Sequence, residues 1–371
     1  MNNNNNNIDP ETLRRWLTDG RSVTVLDIRK AEDRAEWSIP GSIHVEAYEA
    51  LKARDPMALA NVSLPTGVPV VTVCGVGKAA LIAAEQLQAR GIHAVALEGG
   101  MKEWSRAWNT ADVSLRGRSV QVVQVRRTGK GCLSYLIASD GEAAVLDASL
   151  DPDVYMRIAS ERGWRITRVL ETHIHADHLS RSRPLAQTAD AELLLPDQDR
   201  VSFPFTPIRD GDSIEIGSLS LRALRTPGHT LDSTSLLIEG QALFTGDTLF
   251  LASVGRPDLG ADKTGARERA AMLHQSLRRL ASLHPGTLVL PGHHSQPIAF
   301  DARVLATTLG ELAADVPALS EPEATFIEWI LARIPPTPPN YLEIVKLNEA
   351  GKMPAGNPSD LEAGANRCAV S

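Results

Sequence analysis

Hydrophobic and polar positions follow two different rhythms along the 371-residue chain. Over roughly the first 110 residues, short apolar runs such as SVTVLDI, VPVVTVC and HAVALEGG alternate with helical patterns such as KAALIAAEQLQARG and MKEWSRAW. Strands and helices that alternate in this way are typical of βα units around a parallel sheet. We therefore predict an N-terminal α/β domain over residues 8–110, with a parallel sheet flanked by helices.

From about Val120 the pattern changes to many short strands punctuated by Gly, Asp and Pro, including QVVQVRR, GCLSYLIAS, EAAVLDAS, ITRVLETH and QALFTGD. Helical patterns such as ERAAMLHQSLRRLASL separate only some of them. This mixture predicts an α/β sandwich over residues 119–371, after a linker at 111–118. Beyond residue 294, two helical stretches (ARVLATTLGELAAD and EATFIEWILARI) and the Pro-rich PPTPPNYLEIVKLN form an extension, and we expect its Pro-rich tail to wrap the domain surface.

Composition and charge narrow the class of partner. The net charge of -7 indicates neither a nucleic-acid nor an anionic-membrane partner. No apolar run approaches the roughly 20 residues that a membrane span needs, and the start MNNNNNN, which we leave out of fold reasoning, does not resemble a secretory signal. We expect a cytoplasmic protein that acts on a small molecule. Three widely spaced cysteines, Cys74, Cys132 and Cys368, indicate reduced thiols.

The stretch THIHADHLS at 172–180 concentrates possible metal ligands directly after an apolar run. The run predicts a strand, so the ligands are expected on the loop at its end, where metal sites are commonly built. Further ligand-type residues stand beside glycines in TPGHT, FTGDT and LPGHH, and side chains from several strand ends can converge on one divalent metal. The residues concerned are His173, His175, Asp177, His178, His229, Asp247 and either His293 or His294.

The order HIHADH, TPGHT, TGD and PGH resembles the motifs of the metallo-β-lactamase superfamily over residues 120–294. The resemblance implies an αββα sandwich with a metal site between its two sheets. If the chain resembles the superfamily's persulfide dioxygenases, one Fe(II) per chain is held by His173, His229 and Asp247, while His175 and Asp177 orient ligands or water. Two histidines and one carboxylate leave positions open for a substrate sulfur and for O2.

The alternative resemblance, to hydroxyacylglutathione hydrolase, implies two Zn ions, and the ligands alone do not distinguish the two arrangements. The first zinc would be held by His173, His175, His229 and Asp247. The second would be held by Asp177, His178, His293 and a bridging Asp247.

Two further stretches, CLSYLIASDGEAAVLD and DTLFLASVGRPDL, resemble the persulfide dioxygenase branch. They imply a substrate-side role for Arg256, whose guanidinium would pair with the carboxylates of glutathione, and a structural pair with Asp258 is the alternative. The ending LEAGANRCAVS resembles the branch's Asn-x-Arg-Cys tail and brings Cys368 near the site, although we interpret Cys368 as passive. We interpret Cys132, inside an apolar run, as a small core residue.

A second candidate centre lies in VVTVCGVGKAALIAAEQL, where Cys74 follows a predicted strand and precedes a predicted helix. Gly75 and Gly77 permit a tight loop whose amides point at the sulfur, and the helix N-terminus adds positive potential. Both effects stabilise a thiolate or a persulfide, which makes Cys74 reactive. A buried strand-end cysteine is the alternative interpretation.

VLDIR, EWSIPGSIH and LEGGMKEW, together with this loop, resemble a single rhodanese domain over residues 9–108. The resemblance implies sulfur transfer through Cys74. Rhodanese loops often carry arginines just after the cysteine and near the end of the loop, where this chain has Gly75 and Ala79 and where Lys78 is the only cation. The difference favours persulfide handling over the use of thiosulfate.

Together the two resemblances imply a fusion that oxidises glutathione persulfide, or a similar persulfide, with O2 to sulfite. Cys74 would pass sulfane sulfur between thiosulfate, or another persulfide, and the thiol. The alternatives are a dinuclear zinc hydrolase of glutathione thioesters and a non-catalytic sulfur carrier. We also expect a homo-oligomer, because the C-terminal segment has apolar residues to bury.

Overall fold

The computed structural model describes residues 6–116 and 120–370. Most of the Asn run and residues 117–119, part of the predicted linker, lie outside the described residues. Within the described ranges, no helix combines the length and the apolar character that crossing a membrane requires.

The N-terminal unit alternates strands and helices as the sequence predicts. Its elements are β1 (Asn7–Ile8), α1 (Pro10–Thr18), β2 (Thr24–Asp27), α2 (Ala31–Glu36), β3 (Ile43–His44), α3 (Tyr48–Lys52), β4 (Val70–Val73), α4 (Lys78–Ala89), β5 (Ala94–Leu97) and α5 (Gly100–Trp104). All strands pair in parallel, in the order β1-β5-β4-β2-β3. β2 and β4 are buried at every residue because helices cover both faces of the sheet.

The second unit contains two large sheets. The first consists of β6 (Asn109–Val113), β7 (Val120–Arg127), β8 (Cys132–Ser139), β9 (Glu142–Leu146), β10 (Arg165–Leu170), β11 (Glu192–Pro196) and β12 (Thr206–Ile208). The second consists of β13 (Ser213–Ile216), β14 (Leu219–Arg225), β15 (Thr234–Ile238), β16 (Ala242–Gly246), β18 (Leu288–Pro291) and β19 (Thr307–Thr308). A separate ribbon joins β17 (Val254–Gly255) to β20 (Ala369–Val370).

The helices of this unit are α6 (Pro152–Glu161), α7 (Ser182–Ala189), α8 (Lys263–Ala281), α9 (Leu309–Asp315), α10 (Glu323–Leu331), α11 (Tyr341–Ala350) and α12 (Ser359–Glu362). The main core lies between the sheets, where Tyr135 and Phe244 meet edge to face. α6 and α7 pack on the outer face of the first sheet, and α8 and α10 pack on that of the second. These four layers confirm the predicted αββα sandwich.

The predicted boundary between the units differs from the structure. Residues Asn109–Val113, assigned partly to the first domain and partly to the linker, form the edge strand β6 of the second unit and pair antiparallel with β7. Asn109, Ala111 and Val113 are buried in alternation along this strand. The polar composition of NTADV concealed a period-two pattern that pairing with β7 makes evident.

The C-terminal extension also differs from its prediction. The stretch ARVLATTLGELAAD is helical only from Leu309, because Thr308 and Glu311 form a capping box that starts α9. In the tail that follows the prolines, residues Tyr341–Ala350 form helix α11. This helix supports the candidate site described below instead of merely wrapping a surface.

The two units meet at the turn between β7 and β8, residues 127–131. Trp37 of the first unit donates through Nε1 to the carbonyl of Thr128 (3.1 Å). Arg127 donates through Nε to the carbonyl of Ser105 (2.8 Å). A Cβ on Gly129 would lie 1.9 Å from the Trp104 carbonyl oxygen, so the backbones touch there. This turn leads directly into β8.

Candidate metal centre

The loop after β10, residues 171–179, carries four of the predicted ligands and is held through its backbone. Asp232 accepts from the amide of Ile174 (2.8 Å). Asn348 of α11 donates through Nδ2 to the carbonyls of His175 and His178, both at 2.9 Å. Because these partners come from distant parts of the chain, tertiary contacts fix the direction in which the loop presents its side chains.

Three predicted ligands from three strand ends converge. His173, His229 and Asp247 each place a ligand atom within 4.8 Å of those of the other two, and all three side chains are buried. Asp247 Oδ2 lies 3.9 Å from His173 Nε2 and 3.7 Å from His229 Nε2. Among the described residues, neither His173 Nε2 nor Asp247 Oδ2 has a hydrogen-bond partner. Buried polar atoms left without partners around one point fit a metal ion.

The charges of the three groups suit a divalent metal. Burial lowers the pKa of His173 well below its usual value, and burial also lowers the pKa of His229. Burial alone would raise the pKa of Asp247, but the charge of His293 outweighs it, so the carboxyl pKa lies below its usual range. Neutral imidazoles and an ionised carboxylate are the protonation states that metal binding requires.

Hydrogen bonds on the far side of each imidazole fix its tautomer. Thr172 donates its hydroxyl proton to Asp147 (2.9 Å), so its oxygen accepts from His173 Nδ1 at 2.9 Å. His229 Nδ1 donates to the carbonyl of Arg256 at 2.8 Å. Each bond leaves the Nε2 lone pair free, which is how proteins orient a metal-binding histidine.

His175 lies beside the three ligands in a cluster of its own. Its Nε2 is 3.2 Å from Asp147 Oδ1 and 3.5 Å from Glu171 Oε2. Its Nδ1 is buried and, in the part of the chain that the structure describes, has no hydrogen-bond partner. The Asp147 contact fits the predicted orienting role, and the free Nδ1 fits the four-ligand zinc arrangement.

The remaining predicted ligands form an adjoining group. Asp177 Oδ2 lies 2.9 Å from His293 Nε2, and Asp177 Oδ1 lies 3.1 Å from His178 Nδ1. His293 Nδ1 is 2.5 Å from Asp247 Oδ1, which joins this group to the first. Of the two histidines in LPGHH, His293 is therefore the one at the site. The other, His294, directs its Nδ1 to the carbonyl of Gln296.

Cys132 is not the small core residue that the sequence predicted. Its sulfur lies 3.6 Å from Asp177 Oδ2 and 3.9 Å from His178 Nδ1. Burial and Asp177 raise the pKa of this thiol, but contacts with His178 and His293 outweigh them and lower it to about 6. The sequence offered one indication of this role, because Cys132 stands at the start of a predicted strand, as the other candidate ligands stand at strand ends.

Cys368 also reaches the site, as the resemblance of its tail implied. Its sulfur is buried within 4.8 Å of ligand atoms of Asp247 and His293. The pairing of β17 with β20 positions Cys368 there, and the Arg256 amide donates to the Cys368 carbonyl at 2.9 Å. Burial raises the pKa of the Cys368 thiol well above its usual value, which agrees with a passive side chain.

The contacts of Arg256 are those of the alternative stated above, a structural pair with Asp258, and not those of a guanidinium open to a substrate. It is fully buried, and its Nε and Nη2 bind both carboxylate oxygens of Asp258 at 2.7 and 2.8 Å. The remaining donors bind the carbonyls of Pro335, Pro336 and Arg367. All five N–H groups are thus occupied. The tail residues that occupy them are remote in sequence and could not be assigned from the GRPDL motif.

A cavity of about 340 Å³ borders the first ligand group at His229 and carries two cations that sequence reasoning missed. Arg200 is paired with Glu349 at 2.7 Å and with Asp232 at 3.3 Å. Arg269 of α8 donates to the Leu259 carbonyl at 2.8 Å and forms no ion pair within the described residues. The apolar wall consists of Ile174, Ala176, Leu231, Leu259, Leu342 and Val345.

Cys74 directly follows β4 and lies in a tight loop before α4, as predicted. Its buried sulfur accepts a hydrogen bond from the amide of Gly77 at 3.1 Å. Gly77 has φ +87°, and a Cβ there would lie 3.1 Å from the Gly99 amide nitrogen, so this position requires glycine. Gly75 and Lys78 are exposed. Gly75 borders a cavity of about 260 Å³ that residues of both units line.

Comparisons with known proteins agree with this architecture. A rhodanese-like domain model matches residues 9–107, and a metallo-beta-lactamase superfamily model matches residues 127–203 and 192–293. Hydroxyacylglutathione hydrolase from Anaeromyxobacter dehalogenans is 36% identical over 169 residues, which are 45% of this chain and 63% of that protein. The corresponding protein from Methylobacillus flagellatus is 33% identical over 193 residues, which are 52% of this chain and 71% of that protein.

Two solved structures share the fold. A metallo-beta-lactamase from Staphylococcus aureus has 30% identity and a TM-score of 0.57, over 65% of this chain and 75% of that one. ETHE1 from Myxococcus xanthus has 28% identity and a TM-score of 0.55, over 65% of this chain and 100% of that one. The chain matches only 63% of the length of the A. dehalogenans hydrolase, which is less than two thirds of that protein. The chain belongs to the metallo-β-lactamase superfamily and carries a rhodanese-like domain on its N-terminal side.

Proposed function

We propose that the protein is a persulfide dioxygenase fused to a sulfurtransferase, which oxidises glutathione persulfide or a similar low-molecular-weight persulfide. The observation that carries the proposal is a buried set of two imidazoles and one carboxylate in a chain that also has a rhodanese-like cysteine loop. The reaction balances as persulfide, O2 and water giving thiol, sulfite and two protons. In a thioesterase, the rhodanese-like cysteine loop would have no function related to the reaction at the metal site.

The comparison with ETHE1 supports this branch of the superfamily. The structural match extends over the full length of the ETHE1 chain, compared with 75% of the S. aureus metallo-beta-lactamase chain. The sequence motifs that resemble persulfide dioxygenases, CLSYLIASDGEAAVLD and GRPDL, lie inside the matched sandwich.

His173, His229 and Asp247 are the residues that would hold Fe(II). The His173 Nε2 and Asp247 Oδ2 atoms, which have no hydrogen-bond partner among the described residues, fit it. When bound, Fe(II) supplies redox chemistry toward O2 and an attachment point for a thiolate sulfur. The chain's own contribution is to hold these three groups in fixed tautomers and to keep bulk water away from them. Thr172 and the Arg256 carbonyl fix the imidazoles, and burial excludes water.

The cavity beside His229 suits a thiol that carries carboxylates. Its apolar wall accommodates the carbon chain of the substrate, and Arg200 and Arg269 supply the charge complement of the glutathione carboxylates. These two residues therefore take the substrate-binding role that the sequence had assigned to Arg256. A persulfide held in this way has its sulfur end at the His229 side of the cavity.

Cys74 would carry sulfane sulfur as a cysteine persulfide. In one direction its thiolate attacks the outer sulfur of thiosulfate, releases sulfite and then passes the sulfur to the thiol of glutathione; the reverse sequence is equally balanced. The Gly77 amide and the N-terminus of α4 stabilise the anionic sulfur in both forms.

Metal content combined with oxygen uptake tests the proposal. We expect one iron per chain and O2 consumption that requires a persulfide and yields sulfite. Cys74→Ser should abolish sulfur transfer and leave persulfide-dependent oxygen uptake unchanged. Two zinc ions per chain with thioester cleavage and no oxygen uptake would contradict the proposal.

A dinuclear zinc hydrolase of glutathione thioesters is the second candidate function. Two observations favour it: His175 Nδ1 has no hydrogen-bond partner in the described part of the chain, and Asp177, His178 and His293 lie together beside the first ligand group. The curated relatives quoted above carry that name. The same cavity would accept the glutathione portion of either substrate. The two functions are therefore distinguished by the metal and by the reaction.

A further inference from the structure

A cavity of about 410 Å³ lies where the two units meet and has no part in the proposed function. Arg14 of α1 and Glu103 of α5 border it from the first unit, and Asp153 of α6 borders it from the second. Its described lining includes no candidate metal ligand and no residue of the Cys74 loop. We propose that this cavity binds a small zwitterion, with its carboxylate at two buried arginines and its ammonium at an acidic rim.

The buried end of the cavity carries positive charge in excess. Arg127 and Arg181 line this end, and both pair with the one carboxylate of Glu362, to which Arg127 Nη2 lies at 3.0 Å. All three side chains are buried, and no other acid in the described part of the chain pairs with either guanidinium. A buried charge without a partner is costly, so an anion in the cavity would be stabilised there.

Unused hydrogen-bond donors lie at the same end. Arg127 makes three hydrogen bonds, to the carbonyls of Ser105 and Ser149 and to Glu362, and Arg181 also makes three. Because a guanidinium has five N–H groups, two remain on each arginine. Arg181 Nε and the buried hydroxyl of Ser149, which also lines the cavity, have no hydrogen-bond partner within residues 6–116 and 120–370. A carboxylate accepts several such bonds at once.

The acidic side chains of the lining lie nearer to solvent. Five of them border the cavity and none is buried: Asp9, Glu11, Glu103, Asp151 and Asp153. Glu11 pairs with Arg14, and Asp151 pairs with Arg106. The other three form no ion pair among the described residues, and they outnumber Arg157, the one exposed cation of the lining in the same condition.

This separation of charge by depth decides the class of ligand. A simple anion would be repelled at the rim, whereas a molecule with an ammonium at one end and a carboxylate at the other complements both regions. The wall between them is apolar and is formed by Pro10, Ala107, Trp108, Leu150 and Val154, which suits a methylene spacer. The volume lies within the range of about 300–1,000 Å³ that is usual for small-molecule sites.

Calorimetric titration of the full-length chain at pH 7 tests the inference. The probes are glycine, 4-aminobutyrate and 6-aminohexanoate, in which the two charges lie progressively further apart, together with hexanoate and hexylamine, which carry one charge each. We expect at least one of the two longer amino acids to bind roughly tenfold more tightly than hexanoate or hexylamine, since only a zwitterion pairs with both regions.

Two variants locate the bound probe. Ser149→Ala should weaken that amino acid roughly tenfold, because it removes a hydrogen bond to the carboxylate. Asp153→Asn should weaken it roughly threefold and leave hexanoate no weaker, because only the ammonium loses a partner. Glu161→Gln is the matched control, since Glu161 is an exposed acid at the other end of α6 and does not line the cavity.

The inference is overturned if no amino acid binds more tightly than both single-charge probes, or if Asp153→Asn and Glu161→Gln bind it equally. Loss of binding in Arg269→Ala would also overturn it, because the probe would then occupy the cavity beside His229. Should Ser149→Ala fail to fold, the comparison of Asp153→Asn with its control decides alone. None of these measurements depends on the proposed oxidation or on sulfur transfer.

Discussion

Replacing Arg269 with alanine should weaken the use of glutathione persulfide selectively. Arg269 lines the cavity beside His229 and has donors left after its bond to the Leu259 carbonyl. Burial lowers the pKa of this guanidinium, and the like charge of Arg200 lowers it further. The guanidinium of Arg269 is therefore already partly removed from water before the substrate binds. A bound carboxylate would also relieve the repulsion between Arg269 and Arg200.

The size of the effect follows from the half-buried position of Arg269. An exposed ion pair contributes about 0.2–1 kcal/mol, and a hydrogen bond to a charged group contributes about 1.5–3 kcal/mol. A value between them, about 1.4 kcal/mol, corresponds to a roughly tenfold loss of kcat/KM. We expect the loss to fall on KM, because the guanidinium binds the far end of the substrate and not the reacting sulfur.

The assay compares initial rates of oxygen uptake with glutathione persulfide and with the persulfide of 2-mercaptoethanol, which has no carboxylate. Arg269→Ala should lower kcat/KM for the first substrate and leave the second unchanged. Arg267→Ala is the matched control, because Arg267 lies on the same helix and pairs with Glu328 at the surface. Equal losses for both substrates, or no loss for either, would refute the assignment of this cavity.

Three further predictions concern the groups that hold the site. Arg256→Ala should lower the free energy of unfolding, measured by urea denaturation, by about 3–5 kcal/mol, because the substitution leaves Asp258 and three carbonyls unpaired. The variant should not discriminate between substrates with and without carboxylates. Asn348→Ala removes two hydrogen bonds to the loop at residues 171–179 and one to the adjoining Ser180 amide, so it should lower the free energy of unfolding by about 2–3 kcal/mol and speed metal loss to a chelator; an unchanged dissociation rate would contradict its supporting role. Burial alone would raise the pKa of Glu362, but the charges of Arg127 and Arg181 outweigh burial and hold the pKa well below its usual value. The ionised Glu362 therefore stabilises the folded state at pH values above its unfolded-state pKa, and this contribution is lost as the pH falls. The unfolding free energy of the wild type should therefore decline more steeply between about pH 5 and pH 3 than that of Glu362→Gln, and parallel curves would contradict this sign.

The features that the sequence predicted are those whose signals are local. The parallel sheet of the first unit follows from alternating apolar runs, and His173, His229 and Asp247 converge because each stands at the end of a strand in one sandwich. The structure brings these three side chains together, while their role as metal ligands, the identity of the metal and the homo-oligomer stay predictions.

The features that the sequence missed depend on contacts between distant segments. Arg256 is occupied by carbonyls of the C-terminal tail, and nothing in GRPDL indicates which segment will cover it. Cys132 looks like a core residue in an apolar run until the bridge to His293 turns it toward the ligands. Arg200 and Arg269 belong to no motif and meet only because a loop and a helix border the same cavity.

The turn at residues 127–131 makes the second unit depend on the first for part of its structure. Trp37 and the backbone at Trp104 brace this turn from the first unit, and the residue that follows it is Cys132. Removing the first unit would expose the buried Arg127 and would remove the hydrogen bonds that hold the turn before β8. A stand-alone sandwich cut from this chain would thus lose the contacts that hold the turn next to the candidate metal site.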